Sequence, residues 1–123
     1  MAKMIIRGKE VDIDIRCVNM VKFFNDVVGL DTKFSCEGHE GTFNTSFEIM
    51  FEDYVTDEQI GIFICKYFNE HNHSPFRGRF IKWARLVEGR LKTNWIYRAD
   101  NKVLANVDYK IFISLEEYKD EIN

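Results

Sequence analysis

The chain has 123 residues, 46% of them hydrophobic, with one proline and a formal net charge of −3 at pH 7. This size and composition are typical of one globular domain that needs neither disulfides nor a structural metal, so we predict a single domain over residues 1–123. No apolar run approaches the roughly 20 residues of a membrane span, and no signal-peptide pattern opens the chain. We therefore expect a cytoplasmic protein without a membrane partner.

Positive charge is concentrated in one segment of this acidic chain. Residues 77–98 carry seven basic side chains against the single acid Glu88, a net +6, which leaves −9 for all other residues. Charge separated in this way steers an anionic partner toward one part of the surface. The basic residues are Arg77, Arg79, Lys82, Arg85, Arg90, Lys92 and Arg98.

The first half of the chain predicts a hairpin, a helix and a two-faced strand. Residues 4–7 and 10–13 flank Gly8-Lys9 as short strands would. Apolar residues then recur at helical spacing over 15–28, with Asp14 as the predicted N-cap and Gly29 as the C-terminal cap. Residues 43–51 alternate between apolar and polar side chains, which predicts a strand with one face on the core and one toward solvent.

A second helix is predicted next. Thr56-Asp57-Glu58-Gln59 forms a capping box, in which side chains satisfy the first backbone donors of a helix. Apolar residues keep helical spacing as far as Phe68, and residues 69–75 have the composition of a loop that ends in proline.

The last third of the chain predicts three strands and a closing helix. Residues 80–87 and 91–98 are strand-like runs around a three-residue loop, Glu88-Gly89-Arg90. Alternating apolar residues over 103–113 predict a further strand, and a second capping box predicts a short helix over 115–122.

Together these elements predict an α+β fold in two layers. Hairpin connections favour a mostly antiparallel sheet, with two main helices packed on one face and a short C-terminal helix. The other face of the sheet is left free, and the basic hairpin belongs to that sheet.

The turn at residues 36–41 gathers reactive side chains between two apolar segments. Cys36 and His39 have the spacing of one pair of zinc ligands. The second pair, His71 and His73, lies far along the chain as His-x-His, so the set lacks two close pairs of characteristic spacing. We therefore predict no metal site and no cofactor, and we interpret His71 and His73 as polar loop residues.

An enzyme is the competing class. His39 titrates in the useful range, and beside Glu37 or Glu40 it would act as acid or base in a small hydrolase or nucleotide-processing enzyme. A nucleophilic Cys36 is disfavoured because the neighbouring glutamates oppose a thiolate. We predict no catalytic residue and favour a protein that is not an enzyme.

Nucleic acid is an alternative partner for the basic segment. Phe80, Trp83, Trp95 and Tyr97 are interleaved with its cations, and aromatic faces stack on bases while Arg and Lys meet phosphates. The acidity of the whole chain opposes affinity of this kind.

The pattern Thr32-x-x-Ser35-Cys36-Glu37-Gly38-His39, followed by Phe80-x-Lys82-Trp83 and Trp95-x-Tyr97, resembles a group of small proteins from bacteriophages and mobile elements. These are uncharacterised proteins with a Ser-Cys-Glu-Gly-His turn, and the resemblance covers roughly residues 15–98. It implies an accessory factor that acts on a host or defence component, and it supplies neither catalytic residues nor a cofactor.

We predict a non-enzymatic binding module whose partner is a host or defence protein or an anionic small molecule. The turn supplies polar contacts, the hairpin supplies charge, and a tryptophan supplies the apolar anchor that interface hot spots often use. The predicted binding residues are Ser35, Cys36, Glu37, His39, Lys82, Trp83, Arg85, Lys92, Trp95 and Arg98.

Overall fold

The computed structural model describes residues 1–39, 45–67 and 76–122, with side chains as far as Glu116. A helical segment at residues 15–27 combines a 3-10 turn, a short α-helix and a π-helical turn. The elements, in chain order, are β1 (Ala2–Ile6), β2 (Lys9–Ile13), the 3-10 turn Ile15–Cys17, α1 (Val18–Lys22), the π-helical turn Phe23–Val27, β3 (Thr32–Cys36), β4 (Phe47–Phe51), α2 (Asp57–Tyr67), β5 (Arg79–Val87), β6 (Arg90–Ala99) and α3 (Lys102–Ile122).

The strands form two antiparallel sheets. β1 and β2 pair as the predicted N-terminal hairpin, and the other four form a sheet in the order β3-β4-β6-β5. Since side chains alternate across a strand, paired residues form rows on opposite faces of that sheet. The row on the inner face is Ser35, Ile49, Tyr97 and Phe80. The next row, on the outer face, is Phe34, Met50, Ile96 and Ile81.

Aromatic rings pack the helices against the inner face. The Phe24 ring centroid lies 5.0 Å from that of Phe51 on β4, and the Phe63 centroid on α2 lies 5.4 Å from that of Phe80 on β5. α3 reaches the same face, because Asp108 accepts a hydrogen bond from the Tyr97 hydroxyl at 2.6 Å. The predicted α+β fold, with an antiparallel sheet and its helices on one face, is confirmed.

Two predicted helix ends, at Gly29 and at Thr56, are confirmed, and the predicted cap at Asp14 is wrong. The predicted end of the second helix at Phe68 and the loop over residues 69–75 lie outside the described residues. Gly29 closes the helical segment with a φ of 73°, a conformation that glycine adopts without a Cβ penalty. The Thr56 N–H donates to Gln59 Oε1 at 2.9 Å, and the Gln59 N–H donates to Thr56 Oγ1 at 3.2 Å, so the capping box forms. Asp14 makes no capping bond, and its carboxylate instead accepts the Glu37 N–H at 3.0 Å.

The basic hairpin is confirmed with a tighter turn than predicted. Val87 pairs with Arg90, so the loop contains two residues and not three. Glu88 and Gly89 have φ values of 52° and 75°, the two positive φ angles of a type I′ turn. Such a turn matches the twist of its flanking strands, which allows nine consecutive pairs between β5 and β6.

The predicted strand over residues 103–113 is wrong. These residues belong to α3, one helix of 21 residues, so the predicted short closing helix is only its second half. Ala105, Asp108 and Phe112 are buried at helical intervals, while Val103 is 66% exposed. The apolar residues in this segment fit both the two-residue period of a strand and the period of a helix. The residues that are buried are those at helical spacing.

Asn101 is the sequence signal that would have predicted the start of α3. The Asn101 side chain accepts the Leu104 N–H at 2.9 Å, which is how an N-cap residue satisfies an early backbone donor of a helix.

Candidate functional site

The turn after β3 is held in place by structural contacts. The Glu37 N–H is bonded to Asp14, and Gly38 has a φ of 85°. A Cβ on Gly38 would lie 2.3 Å from the Thr45 carbonyl oxygen, so this position accepts only glycine. Cys36 Sγ and His39 Nε2 are 3.9 Å apart, at the outer limit of a sulfur hydrogen bond. Local packing therefore accounts for the glycine in this motif.

His39 lines a small cavity between the turn and the start of α3. The cavity has a volume of about 200 Å³, and it is lined by Glu37, Gly38, His39, Thr45, Asn101, Lys102 and Val103. Typical small-molecule sites occupy roughly 300–1,000 Å³. Glu40, the other proposed partner of His39, lies outside the described residues. The geometry thus supports the hydrolase alternative less than a role for the turn in binding.

The structure places two of the four candidate zinc ligands, Cys36 and His39, close to each other. Among the residues that the structure describes, no group of three or more His, Cys, Asp or Glu side chains is arranged to hold a metal ion. His71 and His73 lie in the part of the chain that is not described.

The sheet divides the predicted binding residues between its two faces. Cys36, Trp83, Arg85, Lys92 and Arg98 lie on the outer face by their register positions. Ser35, Lys82 and Trp95 lie on the side of the helices. Glu37 and His39 follow the end of β3. The structure therefore brings together about half of the predicted residues on one surface.

Lys82 and Trp95 anchor the hairpin to α2. Lys82 Nζ lies 2.9 Å from Asp57 Oδ1, and the Trp95 indole N–H donates to the same oxygen at 2.8 Å. These bonds, that of Lys82 first, lower the pKa of the Asp57 carboxyl. Trp95 also packs against the core. Both side chains thus have a structural role on the inner face.

The outer face carries an apolar row that crosses all four strands. Ile96, at its centre, is only 3% exposed, whereas Phe34 on β3 is 57% exposed. Trp83 lies near the other end of the row and is 46% exposed. All ring contacts between the described helices and this sheet involve inner-face residues. No described helix makes a ring contact with the outer face, and Phe34 and Trp83 are exposed on it.

A hydrogen-bonded network holds the cation beside Trp83. The Arg85 guanidinium lies 5.2 Å from the Trp83 ring centroid and donates to Asn94 Oδ1 at 2.6 Å. The Asn94 amide donates in turn to the Phe51 carbonyl and, at 2.7 Å, to Asp53 Oδ1. The bond from Asn94 is the main cause of a lowered pKa at the Asp53 carboxyl. Trp83 and Arg85 are therefore presented in a fixed geometry on the outer face.

Sequence reasoning missed Phe34, Met50, Ile81, Ile96 and Asn94. Met50 had a usable signal, because it lies between Glu48 and Glu52 on the side of the strand predicted to face solvent. An apolar residue on a strand face that is predicted to contact solvent indicates an interaction surface.

We expect Cys17 to resist alkylation in the folded protein while Cys65 reacts. Cys17 is fully buried, and burial raises the pKa of its thiol to about 12, so thiolate is scarce at about pH 8. Cys65 is exposed on α2. Iodoacetamide labelling followed by peptide mass spectrometry measures both rates, and denatured protein is the control in which they become similar. Equal rates in the native protein would contradict the burial of Cys17.

None of the helices in the described residues is both long enough and apolar enough to span a bilayer. Comparisons with curated proteins and with solved structures gave no significant match. A family model described as YoqC prophage protein matches residues 2–120, including the N-terminal hairpin and most of α3. The expected relation to phage proteins is confirmed, although the match does not identify the Ser-Cys-Glu-Gly-His turn as its basis. The chain belongs to the YoqC prophage protein family.

Proposed function

We propose that this chain is a non-enzymatic binding module that holds a host or defence protein against the outer face of its four-stranded sheet. The observation that carries the proposal is the apolar row Phe34, Met50, Ile96 and Ile81, which ends in the exposed Phe34, lies beside the exposed Trp83 and makes no ring contact with a described helix. Soluble proteins rarely leave contiguous apolar surface uncovered unless it serves in recognition.

The chemistry of the face favours a protein partner. Exposed aromatic residues and arginine are enriched at protein interfaces, and Trp83 with Arg85 forms such a pair beside the row. A phosphate backbone gains little from the apolar row, and the net −9 outside the basic segment repels nucleic acid. A small anion fits less well, because ligand sites for small molecules are concave.

The turn after β3 borders this face. Cys36 is in register with Glu48, and Glu48 is in register with Arg98, which lies 2.9 Å from it through Nη2. This polar row runs beside the apolar one, as the rim of an interface does. In this arrangement Cys36 and Arg98 supply polar rim contacts, while Phe34 and Trp83 supply exposed aromatic contacts near the two ends of the apolar row.

Site-specific photocrosslinking in bacterial cells tests the proposal. We expect Trp83→p-benzoylphenylalanine and Phe34→p-benzoylphenylalanine to give the same covalent adduct with one protein. Ile62→p-benzoylphenylalanine is the control, because Ile62 is 61% exposed but lies on α2, away from the outer face. The variant Arg85→Glu should abolish the adduct formed from position 34. A folded protein that gives adducts only from position 62 would show that the outer face is not the binding surface.

A further inference from the structure

The two edge strands of the four-stranded sheet, β3 and β5, differ in length, in regularity of pairing and in the bonding of their backbone groups. The edge strand β3 has five residues, with a register shift between Thr32 and Phe34. Its backbone is also occupied by side chains: Arg7 Nη2 donates to the Thr32 carbonyl at 2.8 Å, and Asp14 accepts the Glu37 N–H. Bulges and blocked backbone groups are the usual means by which proteins protect a sheet edge. β3 is therefore a protected edge.

The opposite edge, β5, lacks these features among the described residues. β5 has nine residues, and each pairs with β6 without a register shift. Among the described residues, no backbone hydrogen bond from β5 to anything other than β6 is found. In an antiparallel pair, alternate residues direct their N–H and C=O away from the partner. Counted from the hydrogen-bonded pair Val87–Arg90, Lys82, Ala84 and Leu86 direct these groups toward the outer side of β5, where no described residue bonds them.

The hairpin also extends this edge beyond the rest of the sheet. β4 pairs with β6 only from Phe47–Ala99 to Met50–Ile96, whereas β5 and β6 stay paired as far as Val87–Arg90. The extension is held by the Lys82 and Trp95 bonds to Asp57. An incoming strand therefore meets a supported ribbon.

The charge on β5 argues against a second copy of this chain as the occupant. β5 contains Arg79, Lys82 and Arg85 and no acidic residue, so pairing two β5 strands would place six cations side by side. Arg79 and Lys82 have carboxylate partners in Asp100 and Asp57, but these carboxylates are exposed, where ion pairs are weak. Arg85 has no ion pair with any described residue. Arg79 and Arg85 lie on the outer face, so acidic side chains on that face of an added strand would complement both, whereas Lys82 stays paired with Asp57 on the inner face.

We infer that the free edge of β5 binds an extended acidic segment of the partner protein as a fifth strand of the sheet. This inference rests on the proposed function, and it adds the class of partner and the mode of pairing. Main-chain hydrogen bonds to β5 hold the segment, and Arg79 and Arg85 select its acidic side chains on the outer face. Trp83 and Leu86, both exposed, lie on opposite sides of the added strand and contact its alternate residues.

A designed peptide tests the edge directly. The probe is a fluorescein-labelled peptide of alternating glutamate and valine, of about nine residues to match β5. We expect saturable binding to the intact protein in fluorescence anisotropy. The same peptide with alternate N-methylated residues keeps its charge but cannot donate along one edge, so we expect it to bind at least about tenfold more weakly. A peptide with lysine in place of glutamate should not bind.

A matched pair of protein variants locates the site. Because a two-residue loop makes its flanking pair a hydrogen-bonded one, alternation directs the Ala84 N–H away from β6. Ala84→Pro should therefore remove one donor from the free edge while leaving the hairpin paired, and we expect peptide binding to weaken at least about tenfold. Ala84→Val keeps the N–H and should bind as the wild type does. Circular dichroism verifies that both variants are folded.

The outcomes separate the two proposals. Equal binding of the N-methylated and unmodified peptides would overturn strand addition, because charge alone would then explain the affinity. A single-stranded oligonucleotide that bound more tightly than the peptide would also overturn it and favour nucleic acid. If the crosslinked adduct at position 83 forms equally well in the Ala84→Pro background, the edge inference fails while the outer-face proposal stands. If the adducts are absent but the peptide binds, the outer-face proposal fails instead.

Discussion

Asp108→Ala is expected to lower the free energy of unfolding by about 3–5 kcal/mol. Asp108 is fully buried on α3, and its carboxylate accepts three hydrogen bonds. The donors are the Arg77 N–H at 2.8 Å, the Gly78 N–H at 2.7 Å and the Tyr97 hydroxyl at 2.6 Å. Alanine would leave all three donors without an acceptor, and each buried unsatisfied group costs about 1–3 kcal/mol.

Urea unfolding followed by tryptophan fluorescence measures this loss. Tyr97→Phe is the control, because it removes one donor and leaves Asp108 with its two backbone bonds, so about 1 kcal/mol is expected. The double variant should lose less than the sum of the single variants, since the two groups share a bond. Burial and the neighbouring Asp108 raise the pKa of the Tyr97 hydroxyl, so it remains a donor. An unchanged urea midpoint for Asp108→Ala would show that this network does not stabilise the fold.

Phe24→Ala is expected to lower the free energy of unfolding by a similar amount, about 3–5 kcal/mol. Phe24 is fully buried at the centre of the aromatic core, between the helical segment and the inner face. Alanine would leave a cavity that these large rings cannot refill without leaving their positions. The ring centroids within 6.5 Å of that of Phe24 include those of Phe23, Phe51, Phe63, Phe80, Tyr97 and Phe112.

Phe34→Ala is the matched control for Phe24→Ala, since the same residue type is removed from the outer face. We expect a stability change within about 0.5 kcal/mol, because Phe34 is 57% exposed. Thermal and urea unfolding of both variants measure the difference. If Phe34→Ala were as destabilising as Phe24→Ala, the outer-face row would belong to a second core and not to a binding surface.

Much of the fold was predictable because its signals are local. The capping box at Thr56 and the hairpin turn at Gly89 depend on residues a few positions apart. The strand β4 was predictable because Phe47, Ile49 and Phe51 alternate toward the core. α3 was predicted wrongly since its apolar residues fit both periods, and the choice depended on burying Asp108 against Tyr97.

The candidate site was less predictable. The turn containing Cys36 and His39 stands out in the sequence, yet the structure explains Gly38 by packing against Thr45. The basic hairpin was predicted as part of the sheet, but the division of Trp83 and Trp95 between opposite faces requires the register of β5 and β6. The position of β5 at an edge of the sheet follows only from the strand order.

By itself the sequence determined the caps at Gly29 and Thr56, the two hairpins, the alternation of β4 and the concentration of positive charge, since each depends on neighbouring residues. Only the tertiary structure decided that Phe34, Met50, Ile96 and Ile81 form one row and that β5 is an edge strand. The physical reason is that strand order and register join residues far apart in the chain, and their pairing depends on packing the whole core at once.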